Sequence, residues 1–152
     1  MEKKYILTDD VIDFNGHTLH RIKAVRDFDC VKAGNLGGFI ESEKNLDHDG
    51  DAWVFGNALV SGNASVSGNA SVSGDARAHE PSDIALIKGF GSEFRATSFF
   101  RCVDGLVRCQ CGCFYGTVDE FRSKVRETHG NSKYAKEYLM IADLMELHFK
   151  ED

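Results

Sequence analysis

A long apolar run is missing from this sequence, and with it any helical segment able to span a bilayer. The N-terminus, MEKKYILTDDVIDF, lacks the apolar centre of a signal peptide, which predicts a cytoplasmic protein with its five cysteines reduced. A basic patch is missing too. The net charge of −6 is spread along the chain, so direct binding to nucleic acid is not expected. The acidic residues are too sparse for a DNA mimic, which would set carboxylates at phosphate-like spacing. Gly34, Gly37 and Gly38 fit neither a dinucleotide-binding nor a Walker pattern, and no helix signal follows them. They read as tight corners.

What is present is a period of six. From Gly50 to His79 the chain reads GDAWVF, GNALVS, GNASVS, GNASVS, GDARAH, with Ala and Val two apart in the first four hexads. Residues two apart on a strand share a face, so Ala and Val line an interior and the Gly-Asn pair falls at a bend. Each hexad is one short strand and one corner. Three hexads per turn would stack positions eighteen apart, giving inward columns Leu36, Val54, Val72 and Ile40, Ala58, Ala76, with Leu46 over Ala64. Such a coil has no core until its turns stack. The fold class expected is therefore mostly β: a short β-solenoid of hexapeptide repeats over residues 25–80, with an N-terminal β-hairpin cap at 1–24 and a C-terminal region, 81–152, of a β-hairpin and two helices.

Several local signals support that division. Asn15-Gly16 separates two strand-like segments and predicts a hairpin, whose second strand carries His17 and His20 without a metal-ligand cluster nearby. Pro81, the only proline, ends the repeat. Asp104-Gly105 marks a second hairpin, and Thr117-Val118-Asp119-Glu120 is a capping box that starts a helix ending at His129-Gly130. A second helix starts near Asn131-Ser132, its apolar stripe being Tyr134, Tyr138, Ile141, Met145 and Phe149.

Three places carry possible chemistry or recognition. Trp53, Phe55 and Leu59 occupy outward positions of the first two hexads. They pack beneath one of the terminal regions or form an exposed contact patch. Asp47, Asp49 and Asp51 form an acidic run that is either a solvated edge or part of the same contact. Cys109, Cys111 and Cys113 alternate, with Cys102 and His129 as further candidate ligands, and three readings stand: packing, a metal site, or redox chemistry. No catalytic residue and no cofactor or metal site is assigned.

The segments YILTDDVIDFNGHTLHRIKAVRDF, NLGGFIESEKNLDHDGDAWVFGNALVSGNA and CGCFYGTVDEFRSKVRETHG resemble the small hexapeptide-repeat proteins of bacteriophages and prophages. That resemblance implies a left-handed β-helix and a phage protein in the host cytoplasm. The function it suggests is a non-enzymatic interaction module that binds a host protein, such as an effector of CRISPR–Cas or another defence system. A structural or assembly component that multimerises through the solenoid is the first alternative, and a small homo-oligomer fits either reading. Hexapeptide-type acyltransferases share the wider fold and are the second alternative. They use a catalytic His, whereas here His48 and His79 lie only at the ends of the repeat and no long loop interrupts it.

Overall fold

A computed structural model describes residues 2–150; Met1, Glu151 and Asp152, the outer ends of the first and third expected regions, lie outside them. Asn15 and Gly16 both take positive φ, 50° and 83°, the geometry of a tight hairpin turn. They join β1 (Tyr5–Phe14) to β2 (His17–Ala24) in antiparallel register. β2 then pairs antiparallel with β3 (Leu36–Ile40), so the hairpin continues a sheet and covers the edge that β3 would expose.

The hexads follow as two-residue strands: β4 (Trp53–Val54), β5 (Leu59–Val60), β6 (Ser71–Val72) and β7 (Arg77–Ala78). The five hexad glycines turn the chain with φ between 56° and 75°. Ala52, Val54, Ala58, Val60, Ala64, Val66, Ala70, Val72 and Ala76 are all at most 2% exposed. Each of the buried valines contributes roughly 1.5–3 kcal/mol relative to an exposed one.

The expected left-handed β-helix is corrected by the strand topology. Strands fall into a five-stranded mixed sheet, β1-β2-β3-β5-β7, a two-stranded parallel sheet, β4-β6, and a four-stranded antiparallel sheet. Among the described residues no sheet closes on itself, and the strands do not form a β-helix. Of the expected columns, Val54 does lie beside Val72, and Leu59 and Val60 keep the same eighteen-residue register with Arg77 and Ala78, but the members before Trp53 are corrected. Ile40 lies beside Val60, not Ala58, Leu46 bridges Val66, not Ala64, and Leu36 is 59% exposed. Phe39 and Leu59 pair twenty positions apart, whereas Trp53 and Ser71 pair eighteen apart. Seven positions separate Leu46 from Trp53 where five separate their partners Val66 and Ser71. The two extra residues sit in the acidic bend Asp47–Ala52, and strict counting by sixes passes over that excess.

Past Pro81 the chain builds more sheet than one hairpin. β8 (Ile84–Phe90), β9 (Arg95–Arg101), β10 (Val107–Cys111) and β11 (Phe114–Thr117) form the antiparallel sheet in the order β11-β10-β9-β8. β9 meets the end of the repeat: Ala76 bridges Cys102, Phe100 joins the repeat's core, and the Ser98 hydroxyl accepts the Ser71 N–H at 2.9 Å. A backbone donor at the end of a parallel stack is thus satisfied by a side chain.

The other face of this sheet carries α1 (Val118–His129) and α2 (Lys133–His148). The Thr117–Glu120 capping box is formed reciprocally, at 3.2 and 2.8 Å. Phe99, Cys109, Phe121, Val125, Tyr138, Ala142 and Met145 belong to one buried cluster between sheet and helices.

Candidate functional site

Trp53 is 2% exposed, packed edge-on against Phe28 at 5.2 Å and Tyr5 at 6.2 Å between ring centres. The N-terminal segment covers it, so it is not available to a partner. Leu59 is half-buried between Phe39 and Arg77 in the mixed sheet. Phe55 is also half-buried but borders a groove of about 590 Å³ between the repeat and the antiparallel sheet, lined by Asn69, Ser71, Ser98 and Gln110. The three residues do not form one patch of exposed apolar groups.

Asp47, Asp49 and Asp51 are exposed, and all three act on a neighbour that the sequence reading passed over. Lys4 is fully buried: its ammonium donates to the Ala52 carbonyl at 2.6 Å and lies 4.9 Å from the centre of the Phe28 ring. Burial, then repulsion from Arg26, brings its pKa down to about 8, while the three aspartates oppose that shift. The acidic run therefore has an internal electrostatic role, compensating a buried cation.

The histidines at the ends of the repeat are engaged. His48 stacks on Tyr5 at 4.1 Å, accepts the Lys4 N–H at its Nδ1 and lies 2.7 Å from Glu43 through its Nε2. Hydrogen bonding to His48 holds the Glu43 carboxyl below the usual carboxylate range. His79 Nδ1 lies 3.0 Å from the Ser61 hydroxyl, and its ring meets that of His17 edge-on at 5.1 Å.

The structure separates the cysteines. Cys102 is buried against the repeat's core and Cys109 in the helical core, where burial pushes both thiols above the ordinary range. Gly112, at φ 58°, turns β10 into β11, leaving Cys111 half-buried and Cys113 exposed. These two thiols border a pocket of about 360 Å³ with His129 and Tyr138. Among the described residues, no three His, Cys, Asp or Glu side chains are grouped so as to hold a metal ion.

The largest apolar exposure lies elsewhere, on the outer face of α2. Met140, Leu144 and Leu147 are 71, 52 and 70% exposed. Their spacing, i, i+4 and i+7, puts them on one stripe, opposite the buried Ala135, Tyr138, Ala142 and Met145. Tyr134, expected in the buried stripe, is partly exposed and meets His129 edge-on. The residues of the outer stripe are legible in the sequence. The inner stripe alone gives the helix its core face, so nothing in the fold of the helix requires the outer one.

Comparison with protein-family models finds no matching family, and comparison with curated proteins finds no match. Among the described residues, no helix is long and apolar enough to cross a membrane.

Proposed function

We propose that this protein is a non-enzymatic interaction module whose contact surface is the outer face of α2. The observation that supports the reading is the stripe Met140, Leu144 and Leu147, the most exposed run of large apolar side chains on a helix whose opposite face is already buried. Contiguous apolar surface of this kind marks a contact more often than scattered exposure does. Salt bridges from Arg122 to Asp143 at 2.8 Å and to Glu146 at 3.3 Å hold α2 against α1. The stripe is thus presented on a helix already fixed in place, which limits the ordering cost of binding.

The resemblance to phage hexapeptide-repeat proteins supplies the setting: the cytoplasm of a bacterial host, with a host protein as partner and a defence effector such as one of CRISPR–Cas as its class. The test is a tagged pull-down from nuclease-treated bacterial lysate, comparing wild type with Met140→Asp/Leu147→Asp. Both positions are exposed, so the variant folds and loses a stoichiometric host partner. The same partner retained by the folded variant contradicts the proposed surface. Recovery of only the protein's own copies, as multimers that the variant cannot form, replaces the host-binding reading with self-assembly.

A further inference from the structure

We propose that the pocket between the β9–β11 sheet and the two helices binds a small organic anion, a carboxylate carried on an aromatic or alkyl body. The reading is independent of the α2 surface. The pocket's volume, about 360 Å³, lies within the range of small-molecule sites. Its walls divide by chemistry. Phe114, Phe121 and Val125 give an apolar side, and Phe121 is fixed by edge contacts with Phe99 at 5.7 Å and Tyr138 at 5.5 Å. A preformed apolar wall of this kind accepts a ring or chain without reorganising.

The polar side is cationic. Arg95 and Lys124 border the pocket with one lining carboxylate, Glu93; Lys124 is already 3.9 Å from Glu127, which leaves Arg95 as the cation free to take a ligand. The Arg95 side chain makes no hydrogen bond or ion pair among the described residues, and its guanidinium lies over the bare backbone of Gly112, where a Cβ would collide with it. Gly112 thus leaves room for the arginine at the pocket's edge. The side chain of His129, at the C-terminal end of α1, also makes no hydrogen bond among the described residues, and its ring packs 5.9 Å from those of Tyr134 and Tyr138. An unpaired guanidinium with planar donors is suited to a carboxylate, and an adjoining apolar wall suits its body.

The experiment titrates the full chain with 2-naphthoate and with its neutral counterpart, 2-naphthalenemethanol, following ligand fluorescence. The carboxylate binds about tenfold or more tightly than the alcohol, and Arg95→Gln, an exposed substitution, abolishes that preference. Equal binding of the two probes, a preference that survives Arg95→Gln, or no saturable carboxylate binding up to the millimolar range overturns the proposal. Location is read separately in a Cys30→Ser background, which leaves Cys113 as the exposed thiol. Saturating 2-naphthoate slows alkylation of Cys113; an unchanged rate places the probe elsewhere and also overturns the proposal.

Discussion

Lys4 shows how one residue can fix a neighbouring sequence feature. Its buried ammonium donates to the Ala52 carbonyl, and the bend that carries Asp47, Asp49 and Asp51 surrounds it with opposite charge. Its pKa falls from 10.5 to about 8 on folding, so between those values the unfolded chain binds more protons. The contribution of Lys4 to stability therefore rises with pH across that window and is smallest below about pH 8, where a charged group is buried. Tyr5, Cys102 and Cys109 act the other way. Burial raises their pKa values, the folded chain keeps those protons longer, and stability falls as pH climbs past their unfolded values. Lys4→Met separates the two effects. In urea denaturation at pH 7 to 10, the stability of wild type relative to the variant increases above pH 8; a difference that stays flat contradicts the assignment. Nothing in the sequence marks Lys4, because its burial depends on the distant bend at 47–52 closing around it.

Elements with local causes were the most legible. The Asn15-Gly16 hairpin and the Thr117 capping box are each specified by a few adjacent residues, and both form where the sequence places them. The alternation of Ala and Val also identified the buried face of the hexads. What the period could not give was register between distant strands, since two extra residues in the Asp47–Ala52 bend shift every partner before Trp53. Nor could it give β8 and β11. They lie beyond the hexads and pair with β9 and β10 across turns at Gly91 and Gly112. The inward face makes a direct prediction. Val66 is fully buried, and Val66→Asp places a carboxylate without a partner among Leu46 and the repeat's alanines. The expected outcome is loss of the cooperative thermal transition, read by circular dichroism. A soluble variant with a sharp transition near that of wild type contradicts the inward assignment.

Across the whole molecule, two buried cores share the β9 strand: Phe100 faces the repeat and Phe99 faces the helices. The alternation of side chains along one strand thus lets a single sheet close the end of the hexads and carry α1 and α2. The aromatic residues that stood out in the sequence serve this construction. Trp53 is consumed by packing, whereas Met140, Leu144 and Leu147, unremarkable in a helical segment, remain outside it. The proposed partner contact therefore lies on α2 and not on the hexads. Site-specific photo-cross-linking in bacterial cells tests this most directly, with a benzoylphenylalanine introduced at position 144 in one variant and at position 59 in another. The account predicts a specific cross-linked adduct from position 144 and none from position 59. An adduct from position 59 with none from 144 would contradict it and return the contact to the repeat.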